Sequence, residues 1–441
     1  MMWKTAAFSG WGRLPYGTSQ ATRPERFGQL RAAVTGSGAG TLIARGLGRS
    51  YGDCAVNEGG RLVLTERLDR IVSFDAGTGD VVVEAGISLR SLLDIFLPRG
   101  FMVPVCPGTA YVTVGGAIAN DVHGKNHEKD GAFGAHVRWF ELMLASGEIV
   151  RASRDSDTAL FDATVGGIGL TGFIVTACLR LARIPSNALI VRERPVPDLD
   201  ALLAKLHEEA SATYSVAWFD ALASDGSLGR GIVETATVSP TNIQVKPRKP
   251  KSLPVTPPSL VLNSISVRAF NALYRARVPA NGREKLLDYD RFLFPLDSVL
   301  GWNRMYGKRG FRQFQSIVPA AALVPLLERI GRSRAGSFLA VLKAMGPAGT
   351  GMLSFPTAGY VVALDFPNKS GIVELLSDLE RITLEHGGRV YLAKDSCLSA
   401  QGFAAMYPRL PEFLDVLERV DPKRRLGSNM SRRLGIRGGT P

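Results

Sequence analysis

The sequence predicts an α+β fold of two domains. Three observations carry this. Short apolar or β-branched runs alternate with helical periodicities over the first 185 residues. Paired strands joined by a glycine turn precede a helix there, and a length of 441 residues exceeds one ordinary domain. The 45% apolar and 21% charged content is that of a folded globular chain, and excludes disordered, collagen-like and coiled-coil classes. The 48 glycines, about 11% against a usual ~7%, cluster at particular turns.

Taken in order, LVLTE, IVSFD and VVVEAG are strands, the last two joined as a hairpin through AGTGD. Ser88 caps a helix through SLRSLLDIFLPRG, with Leu89, Leu92, Leu93 and Phe96 on one face and Gly100 ending it. ELMLASGEIVRAS repeats strand and turn through Ser146 and Gly147, FIVTACLRLARI is a long buried strand, and Pro185 marks a boundary. Residues 186 to 390 mix strands (ALIVRERPV, YSVAWF, GYVVALDF) with helices at LDALLAKLHEEA and GIVELLSDLERITLEHGG. Within them, residues 244 to 283 carry KPRKPK, the Pro-rich SLPVTPPS and the apolar-basic LVLNSISVRAFNALYRARV, a composition that predicts a long mobile insertion. The chain closes with one more strand, RVYLAKDS, then short helices and the basic SNMSRRLGIR.

A net charge of +13 points to an anionic partner: nucleic acid, an acidic lipid surface or a phosphorylated substrate. Nucleic-acid binding needs basic residues interleaved with stacking aromatics, and none are seen, so no nucleic acid is expected. Cys54, Cys106, Cys178 and Cys397 are far apart without a CxxC pair, which argues against a zinc site or a disulfide framework and fits a reducing compartment. The N-terminal MMWKTAAFSGWGRLPYG lacks an apolar h-region, and no run of ~18 apolar residues occurs, so neither signal peptide nor transmembrane helix is expected.

Three glycine-rich segments carry the chemistry. LIARGLGRSYGD (42 to 53) is a strand followed by Gly46, Gly48 and Gly52, and such turns present successive backbone N–H groups to a pyrophosphate. A Rossmann GxGxxG loop fails here because Tyr51 stands at the third glycine position. PGTAYVTVGGAIANDVHGKNH (107 to 127) sets Gly115 and Gly116 beside Ala117 and Ala119, so that backbone can approach a flat ligand, with Asp121, His123, Lys125, Asn126 and His127 at its edge. His123 and His127 share a spacing of four, but the intervening Gly124 and the missing Glu leave no HExxH metal pattern. TVGGIGLTG (164 to 172) precedes a buried strand and again suits backbone contacts to a cofactor.

These segments resemble the vanillyl-alcohol-oxidase type of FAD-binding (PCMH-type) fold. With SVAWFDA, WNRMYG, LSFPTAGY, DFPNKSG, YLAKDS and MYPR read in order, the chain is similar to the decaprenylphosphoryl-β-D-ribose 2′-oxidase family. That family is the flavoprotein half of the epimerase supplying the arabinose donor of cell-wall polysaccharide. The resemblance implies an FAD-binding domain over residues 1–187 and 389–441. It implies an antiparallel-sheet substrate-binding domain over 188–388, with the mobile basic insertion at about 244–283. FAD contacts fall on Arg45, Gly46, Leu47, Gly48, Arg49, Ser50 and Tyr51. They continue on Gly108, Thr109, Thr113, Gly115, Gly116, Ala119, Asn120, His123, Gly124 and Asn126, and then on Gly169, Gly172, Ile174, Tyr391 and Lys394. Catalytic roles fall on Lys394, Tyr51 and His123, and substrate contacts on Trp218, Gln313, Gln315, Lys343, Ala363 and Lys394.

Where flavinylated relatives carry the linking His, this chain has Arg49, so FAD is expected to be non-covalent. Ala363 stands where the family commonly has a cysteine facing the flavin, and Val361 where an Asn is frequent. The implied reaction oxidises the ribose C2′ hydroxyl of a polyprenylphosphoryl ribose, with an NADH-dependent reductase completing epimerisation and quinone or O2 taking the electrons. The implied location is cytoplasmic, held peripherally at the inner membrane by the basic insertion on an anionic surface. An oxidase of a soluble sugar or alditol using O2 is the alternative with the same fold.

Overall fold

The computed structural model of the chain describes residues 2–245, 250–252 and 263–436. The β-branched runs Ile71–Asp75 and Asp80–Glu84 pair as the expected antiparallel hairpin, and Gly79 closes its turn at φ 80°, a conformation that only glycine adopts without strain. The hairpin is the edge of a five-stranded antiparallel sheet continuing through Phe173–Arg180, Val137–Met143 and Ile149–Ser153. The helix Leu89–Phe96 starts where the Ser88 hydroxyl accepts from Ser91 N–H at 3.0 Å, and it buries Leu89, Leu92, Leu93 and Phe96.

A second sheet runs Lys4–Ser9, Tyr16–Thr22, Arg61–Leu64, Leu42–Arg45, antiparallel at its first pair and parallel at the other two. The C-terminal segment returns to it: Leu42 N–H donates to the Arg425 carbonyl at 2.8 Å, and Leu42 pairs with Leu426.

Residues 188 to 390 supply an eight-stranded antiparallel sheet. Its order is Arg283–Asp288, Ala188–Val196, Gly231–Val238, Tyr214–Phe219, Ala340–Met345, Gly359–Pro367, Phe311–Val318 and Arg389–Val390. Phe314, Val362 and Leu364 point to one face and join Leu375, Leu376 and Leu379 of the helix Ile372–Glu385 in the core. The opposite face is free to carry the site.

Two expectations are corrected. RVYLAKDS is a strand only over Arg389–Val390, at the edge of the eight-stranded sheet, directly after the boundary expected between residues 388 and 389. Beyond it the chain turns, because Lys394 and Asp395 N–H donate to the Tyr391 carbonyl and the Asp395 carboxylate accepts from Cys397 and Leu398 N–H at 2.7 Å. The stretch expected as a mobile insertion contains a helix, Ser264–Ala276, capped by Asn263. Buried Val267 and Asn271 hold it to the sheet, the Asn271 amide donating to Asp220 at 2.6 Å. Most of KPRKPK and SLPVTPPS lies outside the described residues. Among the described residues no helix is long and apolar enough to cross a membrane.

Candidate active site

Strand register assembles one wall of the site. Trp218 lies opposite Val341, Val341 opposite Ala363, and Ala363 opposite Gln315, so four neighbouring strands present one row of side chains on one face. Two residues along from Val341 and from Gln315, on that face, stand Lys343 and Gln313. Residues 97 positions apart, from Trp218 to Gln315, thus meet through pairing alone.

Backbone makes the other wall. Gly46 follows the strand Leu42–Arg45 so closely against Thr113 that a Cβ would sit 2.4 Å from the Thr113 hydroxyl. At Gly52 a Cβ would lie 1.6 Å from the Asp395 carbonyl, so only glycine lets the Tyr51 loop lie against the Lys394 turn. Tyr51 N–H donates to the Ala393 carbonyl at 2.9 Å, and Arg433 holds both loops through Asp53 and Asp395, each at 2.8 Å. Between the walls is a cavity of about 580 Å³.

All the expected substrate residues line this cavity, and so do all the expected cofactor residues except Arg45 and Asn126. The Arg45 guanidinium donates instead to the Ala55 and Ser9 carbonyls at 2.7 and 2.9 Å, and ties the glycine loop to the core. Asn126 is buried behind the cavity, its amide donating to the Pro104 carbonyl and the Asp130 carboxylate. In the wall, Arg49 lies over the Trp11 ring at 4.3 Å.

Lys394 is half-buried in its turn, with Nζ 3.7 Å from the centre of the Tyr51 ring. Burial lowers its pKa below the usual 10.5, partly offset by the charge of Asp365. Asp365 is fully buried; burial raises its pKa, against a hydrogen bond from the Gln313 amide and the charge of Lys394. Burial also pushes Lys343 down to about 7, helped by Lys125 and Lys394. His123 is held well below 6.5 by burial and by Lys343, His127 and Lys394, and is neutral at pH 7. The Gln315 amide meets His123 Nε2 at 2.9 Å; with Gln315 as donor, the ring proton is on Nδ1.

Asp365 was missed in the sequence although the period-two pattern of GYVVALDFP sets it on the face of Ala363, opposite Gln313. Asp297 was missed too: its carboxylate accepts from Ala110 N–H at 2.8 Å and stands in the cavity wall. No local pattern marks it.

The residues fit a flavin dinucleotide. Glycine-bare backbone borders the cavity at Gly46, Gly115 and Gly116, while the buried Asn120 Oδ1, His123 Nδ1 and Gln313 Oε1 have no partner among the described residues. Among the described residues no group of three or more His, Cys, Asp or Glu is placed to hold a metal.

The sequence profile of an FAD binding domain matches residues 24–153, and that of D-arabinono-1,4-lactone oxidase matches residues 362–434. The chain is 41% identical to a decaprenylphosphoryl-β-D-ribose oxidase of Mycolicibacterium smegmatis, over 98% of each protein. It is 34% identical to an uncharacterised protein of Streptomyces coelicolor over 79% of this chain and 100% of that one. A D-arabinono-1,4-lactone oxidase of Yarrowia lipolytica is 30% identical over 40% of this chain and 34% of its own length. At the identity and coverage of the first of these relatives, the chain belongs to the decaprenylphosphoryl-β-D-ribose oxidase family of FAD-dependent oxidoreductases.

Proposed function

We propose that this chain oxidises the ribose C2′ hydroxyl of decaprenylphosphoryl ribose, or another polyprenylphosphoryl ribose, to the 2-keto sugar. Bound FAD, held without a covalent link, supplies the hydride acceptor. Lys394 takes the hydroxyl proton: it forms no ion pair among the described residues, burial favours its neutral amine, and it borders the cavity. Gln313, Gln315 and Lys343 orient the sugar hydroxyls, and Tyr51 and the neutral His123 hold the ring system of the cofactor. Residues 1–187 and 389–441 form the FAD-binding unit and 188–388 the substrate-binding unit. The observation that carries the reading is the amine of Lys394 set between a glycine-bare wall and the row Trp218, Val341, Ala363 and Gln315.

Other steps belong to partners. An NADH-dependent reductase completes epimerisation, and quinone or O2 reoxidises the flavin. The basic insertion, with exposed Lys251, Arg268 and Arg275, holds the protein at an anionic membrane surface on the cytoplasmic side. The lactone-oxidase profile over residues 362–434 favours a second reading, oxidation of a soluble sugar or alditol with release of peroxide.

Anaerobic mixing of the purified protein with polyprenylphosphoryl ribose tests this. Flavin absorbance near ~450 nm should bleach with that lipid and not with free pentitols or aldonolactones. Lys394→Ala should keep its flavin and bleach at least ~100-fold more slowly. Bleaching by the soluble compounds alone would establish the second reading instead.

A further inference from the structure

Beyond Trp218, three aromatic residues of the cavity wall have no role in the chemistry just described. Trp218 packs against Tyr274 with ring centres 4.8 Å apart, Tyr274 stacks on Phe270 at 5.6 Å, and Phe270 meets Phe338 edge-on at 5.0 Å. All four rings line the cavity that holds Lys394. Their polar ends are already used: Trp218 Nε1–H donates to the Phe338 carbonyl, and the Tyr274 hydroxyl accepts from Arg277 at 3.0 Å. What the four rings present to the cavity is mainly their apolar faces.

The wall also leads outward. Phe270 and Tyr274 belong to the helix Ser264–Ala276, which Val267 and Asn271 pin from beneath. Around the helix from Phe270 come Leu273, then Ala269 and Ile265, and Leu273 and Ile265 are 74% and 78% exposed. Leu300, in the same cavity wall, is 46% exposed. An apolar strip thus runs unbroken from the sugar end of the cavity to the surface, with exposed Arg268 and Arg275 on the other flank of the helix. Exposed apolar surface continuous with a binding cavity marks a ligand path.

We propose that the isoprenoid chain of the substrate leaves the cavity along Trp218, Tyr274, Phe270 and Phe338 and passes over Leu273 and Ile265. This rests on the oxidase reading above, and deepens it. A polyprenyl chain is the occupant because it is long and wholly apolar, and because its far end must remain in lipid while the ribose reaches Lys394. The two basic residues then stand beside anionic head groups.

A benzophenone-bearing prenyl phosphate without ribose tests the path independently of turnover. Photolabelling of the holoenzyme should fall on the peptide carrying Phe270 and Leu273 and be competed by decaprenyl phosphate. In Phe270→Ser, the ratio of kcat/KM for ten-prenyl over two-prenyl phosphoryl ribose should fall about tenfold, the scale of one aromatic contact. Leu273→Glu, at an exposed position, should lower the same ratio even if Phe270→Ser folds poorly. Labelling confined to the Trp11 and Trp302 side, or an unchanged ratio in both variants, would overturn the path. Labelling at Phe270 in an enzyme that oxidises no phosphoryl ribose would leave the path standing and sink the oxidase reading alone.

Discussion

Lys343 gives the sharpest physical consequence of the site. It projects from the central strand Ala340–Met345 into the cavity and has neither an ion pair nor a hydrogen bond among the described residues. Burial, with Lys125 and Lys394 nearby, takes its pKa from 10.5 to about 7. The sign follows from linkage. Below pH 7 the lysine is charged in both folded and unfolded chains and the folded state bears the whole penalty. As pH rises from about 7 toward 10.5, the folded state loses the proton first and the penalty fades. In a fully buried site a shift of that size is a penalty on the order of 5 kcal/mol at acidic pH. Lys343 is half-buried at the cavity wall, and solvent screening there reduces this to about 1–2 kcal/mol. Lys343→Met, which fills similar volume without charge, should therefore stabilise the protein by about 1–2 kcal/mol at pH 6.5, and by less than half of that at pH 10.5. Urea unfolding at the two pH values measures it, alongside a loss of turnover that marks the lysine as kept for function at the expense of stability. A variant that is less stable at pH 6.5, or equally stabilised at both pH values, would refute the reasoning.

Three further outcomes follow from the same geometry. With a neutral Lys394 as base, kcat/KM should rise with pH and level off below pH 10.5. Asp365→Asn should move the rise to lower pH, since the Asp365 charge raises the lysine pKa, and an unmoved profile would uncouple the two. Acid precipitation should release all the flavin, because Arg49 occupies the position of the linking histidine and lies over Trp11; yellow colour kept in the washed pellet would contradict this. Turnover with a nitroaromatic inhibitor should leave no covalent adduct at Ala363, whereas Ala363→Cys, in the row between Val341 and Gln315, should form one when its thiolate adds to the nitroso group that two-electron transfer from the reduced flavin would make from the nitro group. Intact-protein mass spectrometry reads both results.

What could be read from the sequence was local. The AGTGD hairpin, the helix capped by Ser88 and the glycine segments each declare themselves within a few residues, since turn chemistry, capping and close backbone approach are short-range demands. The substrate wall is not local. Trp218, Lys343, Ala363 and Gln315 share a face only after three strand pairings fix their register, and without the family resemblance nothing marks them as one site. Arg45 shows the same limit from the other side: next to the glycine loop in sequence, it points to the Ser9 and Ala55 carbonyls because the strand alternates. The helix Ser264–Ala276 was legible in principle, since Val267, Asn271, Tyr274 and Val278 recur at helical spacing, but the prolines before it weighed toward a loop.

The two walls divide the chemistry in a way that explains this difference. On the proposed reading the cofactor is held mostly by backbone, which tolerates many sequences provided glycine stands where Thr113 or the Asp395 carbonyl leaves no room for a side chain. On the proposed reading the substrate is recognised by side chains on a sheet, where each strand can change its inward residues without moving the others. Lys394 belongs to neither wall: it stands on the turn between them, fixed because Arg433 binds Asp53 on the Tyr51 side and Asp395 on its own. If Lys394 is the base proposed above, loosening that pair of ion pairs would move it relative to both cofactor and sugar while leaving each wall intact, so the helix Asn429–Arg433 would position it although it borders no part of the cavity.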